Sequence, residues 1–164
     1  MTRKPDPPSL FEPDSQLRLV GVSLSVGAPE GIVGGVSFHP WTNLVHIDLG
    51  LSGALSFGVH GSVTLDPFDW IVAPTLTLSG GYHGWADLPS AAEPIRFDMS
   101  YLGIQAGVEV GRRSRFRFFF RGGYSHLWVD TDYWPSVSGN QATSSTKVQI
   151  NLLPSLTLGV SAYL

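Results

Sequence analysis

Residues 147–164, KVQINLLPSLTLGVSAYL, alternate in polarity over their whole length. The even positions are Val148, Ile150, Leu152, Pro154, Leu156, Leu158, Val160, Ala162 and Leu164. The odd positions carry Lys147, Gln149, Asn151, Leu153, Ser155, Thr157, Gly159, Ser161 and Tyr163. Successive side chains of a strand point to opposite faces, so this segment is a strand with one apolar and one mostly polar face. A soluble barrel packs such an apolar face inward, and a membrane barrel turns it outward to lipid.

The same rhythm recurs along the chain. Val20, Val22, Leu24 and Val26 alternate with Gly21, Ser23 and Ser25, and the turn GAPEG follows at 27–31. Ile32, Val36 and Phe38 share a face in strand two, opposite Val33, Ser37 and His39, and Pro40-Trp41 breaks it. Strand three sets Val45, Ile47, Leu49 and Leu51 against His46 and Asp48. The alternation then continues in phase through Leu65, and one strand over 44–65 would run about 70 Å. A three-residue turn at Ser52-Gly53-Ala54, pairing Leu51 with Leu55, keeps the apolar residues on one face. Asp66-Pro67-Phe68-Asp69 turns the chain into strand five, Trp70 to Tyr82. A long polar loop is expected over about 82–96, strand six over 101–110 and a turn at 111–114. Strand seven covers 115–128, a second long loop runs from about Val129 to Thr146, and strand eight is the opening segment. The expectation is an all-β, eight-stranded antiparallel up-and-down transmembrane β-barrel at 17–164, behind a flexible, proline-rich leader at 1–16.

Composition supports the outward reading. Charged residues make up 14% of the 164, against about 25% in soluble domains. Net charge is −3 with no basic tract, which argues against nucleic acid as a partner. There is no Cys, hence no disulfide framework and no thiolate ligand set. No apolar run is long enough for a membrane helix. Residues 1–16 lack the apolar core of a signal peptide, so export implies one already removed.

The polar face is rich in Gly and Ser and poor in charge, which suits the narrow interior of an eight-stranded barrel. Its ions must pair. Asp48, Glu109, Arg117 and Arg121 are expected to form one lumen cluster. That cluster is either a plug of mutually satisfied charges or the gate of a narrow pore for small solutes. His39, His46 and His60 face the same way, but their spacing follows no metal-ligand pattern. No cofactor is implied. Aromatic side chains concentrate near both rims: Trp41, Phe68, Trp70 and Phe116 at the short turns, and Tyr82, Trp85, Trp128, Tyr133 and Trp134 at the long loops. Asp130, Asp132, Tyr133 and Trp134 make a candidate surface-recognition loop for a protein partner, a cation or a sugar.

Eight alternating segments, long loops at one rim and the closing strand resemble the small eight-stranded outer-membrane barrels, the class of the membrane domain of outer-membrane protein A. The terminal Leu158-Gly159-Val160-Ser161-Ala162-Tyr163-Leu164 resembles the signal read by the barrel-assembly machinery, with Leu164 where that signal usually ends in Phe. The resemblance implies a bacterial outer-membrane location, contact with outer-membrane lipids and lipopolysaccharide, and a structural or surface-interaction role, such as a subunit of an envelope complex. Lipid A deacylases of similar architecture place Ser two residues after an exterior His. Here His126 is followed at that spacing by Trp128, which argues against a lipid-modifying enzyme. A soluble lipocalin-like ligand carrier is the remaining alternative.

Overall fold

The computed structural model describes residues 20–40, 44–53, 56–68, 70–88, 95–111, 116–133 and 144–164, with the backbone alone for 85–88, 95–96, 132–133 and 144. The leader at 1–16, Trp41 and Trp134 lie outside the described residues, as do the side chains of Trp85, Asp132 and Tyr133.

Eight antiparallel strands follow one another in chain order: β1 (Val20–Ala28), β2 (Gly31–Phe38), β3 (Val45–Gly53), β4 (Phe57–Leu65), β5 (Val72–Leu88), β6 (Ile95–Val110), β7 (Phe116–Tyr133) and β8 (Ser144–Tyr163). Each pairs with its sequence neighbours, and β1 pairs with β8, so the sheet closes on itself. No helix forms among the described residues.

The barrel is polar inside and apolar outside, the reverse of a soluble domain. Inward positions include Ser37, Thr64, Thr77, Gln105 and Glu109, all nearly inaccessible to solvent. Outward positions include Leu24, Leu49, Leu78, Ile104 and Phe118, each about half exposed. The period-two pattern therefore sorts side chains as alternation requires, with glycine where neighbouring interior groups need room. A Cβ on Gly81 would lie 2.6 Å from the Tyr101 ring, and one on Gly159 would run into the Phe119 ring.

Four features depart from expectation. The β3–β4 hairpin turns two residues later than expected: Gly53 pairs with Phe57 and Leu51 with Val59. A slip of two residues preserves both faces, so alternation alone cannot choose between the registers. Second, the stretches expected as long loops are strand at both of their ends. β5 runs to Leu88 and β6 starts at Ile95, while β7 runs to Tyr133 and β8 starts at Ser144. Asp130 and Asp132 thus belong to a strand, not to a loop. Polar residues read as loop because strands usually bury one face, and here cross-strand pairing orders a stretch with little apolar contrast.

Third, the alternation of residues 147–164 does not keep one face. Between the pairs Ser125–Leu153 and Leu127–Ile150, β7 contributes His126 alone while β8 contributes Asn151 and Leu152. This bulge places Leu152 at φ 57°, a left-handed conformation uncommon outside glycine. An extra residue reverses the facing of everything beyond it. Val148 and Ile150 therefore join Val129 and Leu127 on the inner side, and Lys147 and Gln149 point outward. A second bulge sets Gly84 and Trp85 of β5 against Asp98 of β6.

Fourth, the two halves of the barrel differ in height. β1–β4 contain eight or nine residues each, and β5–β8 contain 16 to 20. Residues 84–88 of β5 extend past its last partner in β4, and residues 144–155 of β8 extend past its last partner in β1. The upper parts of β5–β8 thus form a projecting four-stranded sheet. Its polarity is inverted: Met99, Phe97, Leu127 and Val129 face inward, and Ser100, Asp98 and Asp130 face outward.

Candidate functional site

The interior contains the charged residues expected there, and the contacts they make are more specific than a four-ion cluster. Asp48 (β3), Glu109 (β6), and Arg117 and Arg121 (β7) are all at least nine-tenths buried. Glu109 Oε2 lies 4.0 Å from Arg117 Nη1 and 3.9 Å from His46 Nδ1. Arg117 Nη1 donates to His39 Nε2 at 2.9 Å, and Arg121 Nη2 donates to His46 Nε2 at 3.2 Å. A guanidinium only donates, so both Nε2 atoms are acceptors and each ring carries its proton on Nδ1. In His46 that proton faces Glu109. The arrangement is a chain: Arg121 to His46, His46 toward Glu109, Glu109 to Arg117, Arg117 to His39.

Asp48 lines the same small cavity as Arg121 but makes its hydrogen bonds elsewhere. Its carboxylate accepts from Ser37 Oγ on β2 and from Ser62 Oγ on β4, the latter at 3.2 Å. Aromatic rings seat the two guanidinium groups. Arg117 lies over the Tyr163 ring at 4.6 Å, and Arg121 over the Phe119 ring at 4.0 Å. A guanidinium is weakly hydrated and planar, so a ring face compensates part of its desolvation.

Above this layer Gln105 donates to Ser155 Oγ at 3.0 Å and to Thr157 Oγ1 at 2.9 Å. Thr157 in turn donates to Glu30 at the tip of the first hairpin. That hairpin closes with three residues between the pair Gly27–Gly31, and Gly31 takes φ 76°, where a side chain would be strained. The turn directs the buried Glu30 carboxylate over the lumen. Tyr101 completes this level, 2.5 Å from His60 Nδ1 and between the rings of His60 and His83.

The cavity left between Asp48, Arg121, Glu30, His60 and Gln105 has a volume of about 20 Å³. That is room for about one water. Among the described residues no group of three or more His, Asp or Glu side chains is arranged to hold a metal ion.

Sequence reasoning placed Asp48, Glu109, Arg117 and Arg121 inside, and the structure brings Glu109 and Arg117 together. Asp48 lies beside the chain, lining the same small cavity as Arg121. His39 and His46 were read as inward-facing but not as partners of the arginines. Their parity matched, but three-dimensional neighbourhood between β2–β3 and β7 was not visible. Tyr163, first assigned to the terminal signal, has its ring under Arg117. Leu158 and Val160 point outward beside it, Gly159 lies inside against Phe119, and Leu164 donates its amide to Val20 O at 3.2 Å.

On the exterior, Phe68 and Trp70 stack at 4.6 Å at the lower rim, and Tyr82 and Trp128 stand at the upper one. His126 packs against Trp128 with ring centroids 4.1 Å apart. Its cross-strand partner is Leu102, and Ser125 points to the other face. Asp130 accepts from Lys147 Nζ at 3.2 Å.

No protein-family model matches this chain, and a search of curated proteins finds no relative.

Proposed function

We propose that the protein is an integral outer-membrane β-barrel of a Gram-negative envelope, with a plugged lumen and a structural or surface-interaction role. The observation that carries this reading is the inverted polarity of the barrel. All eight strands turn Val, Leu, Ile or Phe side chains outward, over a surface far larger than the apolar patches of soluble monomers. In β6 this belt runs from Val110 to Leu102, and in β7 from Phe116 to Tyr124. Eight to ten tilted residues cover about 20–25 Å, the height of a barrel's apolar band. Above it the outer wall turns polar at Ser100, and the projecting sheet would stand in water with its polar side out. The interior chain of charges and the one-water cavity favour a plug over an open pore. Partners would be outer-membrane lipids and lipopolysaccharide along the belt, the assembly machinery through the closing strand β8, and a protein ligand at the projecting ends of β5–β8.

The test is folding of the full chain into phospholipid vesicles. Expected are co-flotation with the vesicles and a gel band that moves when the sample is boiled. A stable, monodisperse monomer without detergent would overturn the reading.

A further inference from the structure

β1 pairs with β8 only as far up as Ala28–Leu156. Above that point residues 144–155 of β8 pair with β7 alone among the described residues, so one side of the strand is a free edge. Every residue from Ser145 to Leu152 is exposed, whereas Leu127, Val129 and Thr131 across the ladder are buried or half-buried. An edge strand presents a row of backbone N–H and C=O groups with no strand partner, and proteins usually blunt it with prolines, charges or bulges. Here Pro154 and the bulge at Leu152 stand at the foot of the edge. Above them, from Ser145 to Asn151, Lys147 is the only charge, and Thr146, Val148 and Ile150 favour the extended conformation.

The closed strand order places this edge above the end of β1, and no described strand stands over the β1–β2 hairpin. A strand laid against β8 there would run in the direction of β1 and continue the β1–β8 ladder upward. Its faces are set in advance. Side chains beside Val148 and Ile150 would face inward, and those beside Lys147 and Gln149 outward. Val148 and Ile150 are 44% and 39% exposed, so apolar side chains on the added strand would cover them. On the outer face the Lys147 side chain is 79% exposed although it pairs with Asp130, and so exposed a pair holds weakly and leaves the ammonium open to a further acid. A second copy of the chain suits this edge poorly. Copies inserted the same way up run their β8 strands in one direction, which leaves them parallel pairing, the less stable kind. A single extended segment fits the space above β1 and can take the antiparallel direction.

We propose that the upper edge of β8, from Ser145 to Asn151, binds an extended segment of a partner protein as an added antiparallel strand, with apolar side chains inward and polar ones outward, one of them an acid beside Lys147. The proposal rests on the surface-interaction role given above and names the edge that performs it. The probe is a fluorescent synthetic peptide as long as the free edge, alternating valine and threonine with one glutamate. The full chain folded in detergent should bind it about tenfold more tightly than a scrambled peptide of the same composition, the order of one or two main-chain hydrogen bonds. The chain has no cysteine, so single cysteines report the geometry. A peptide with a cysteine on its polar face should form a disulfide severalfold faster with Gln149→Cys than with Val148→Cys, and a peptide with a cysteine on its apolar face should reverse that order. Misfolding or non-specific adhesion cannot produce such a reversal. Lys147→Cys and Thr146→Cys repeat the comparison should either of the first variants fail to fold. Equal binding of the two peptides, or disulfides that ignore the face, would overturn the proposal. Gln149→Cys chains that join one another in preference to the peptide would put a second copy on the edge and overturn it as well. A chain that enters vesicles and binds no peptide overturns the proposal alone. A chain that never enters vesicles overturns the membrane reading, while the peptide comparison still decides the edge.

Discussion

Glu109 is approached from two sides, by Arg117 at 4.0 Å and by His46 at 3.9 Å, with almost no solvent contact. Removing one partner of such a pair leaves a buried charge uncompensated, while replacing both by apolar groups is often near neutral. Arg117→Ala should therefore cost about 3–5 kcal/mol. The double variant Arg117→Met with Glu109→Leu should recover most of the loss. Urea unfolding in vesicles, followed by tryptophan fluorescence, measures both; equal destabilisation of the single and double variants would contradict the role given to the pair. That these residues face inward was legible from parity. That Arg121 reaches His46 was not, because strand order says which residues share a face but not where long side chains end.

At the scale of the element, β8 shows how one residue redirects a strand. Opposite His126 it carries two residues, and deleting Leu152 would join the same pairs, Ser125–Leu153 and Leu127–Ile150, through an unbroken ladder. Deletion of Leu152 should leave folding into vesicles intact, whereas deletion of Leu156 should abolish it by turning one side of β8 inside out. Heat-modifiable gel mobility reports both; loss of folding on deleting Leu152 would mean that the bulge itself is required. β6 shows where the belt ends. Ile104→Arg, about the middle of the apolar band, should cost about 2–4 kcal/mol, and Ser100→Arg, at its rim, about 0–1 kcal/mol. Equal costs would place the belt elsewhere. The reversal of alternation at Tyr101-Leu102 is readable in the sequence of β6. In β8 the sequence alternates straight through the bulge, so its reversal is hidden.

For the whole molecule, closure and filling act together. β1–β8 pairing closes the barrel, and the lumen is occupied by Phe119, Tyr163, the Arg–His–Glu chain and Glu30. The cavity beside Asp48 and Arg121 has room for about one water, which supports the proposed plug. Planar bilayers containing the wild type or Glu109→Ala should show no current steps, since the aromatic rings and both arginines remain. Discrete steps in the wild type would sink the plug and restore the gated pore.

The sequence alone determined the number of strands, their antiparallel order and, outside the bulges, which residues share a face. These follow from period-two alternation and short turns, which are local properties of the chain. The later β3–β4 turn, the bulges at Leu152 and Gly84-Trp85, and the unequal heights of the two halves were decided by tertiary structure. Each depends on how a strand registers against a neighbour distant in sequence, and a slip of two residues leaves no trace in the pattern of either strand. For this reason residues 147–164, whose alternation is the clearest in the chain, present their apolar side outward only below Leu152 and inward above it.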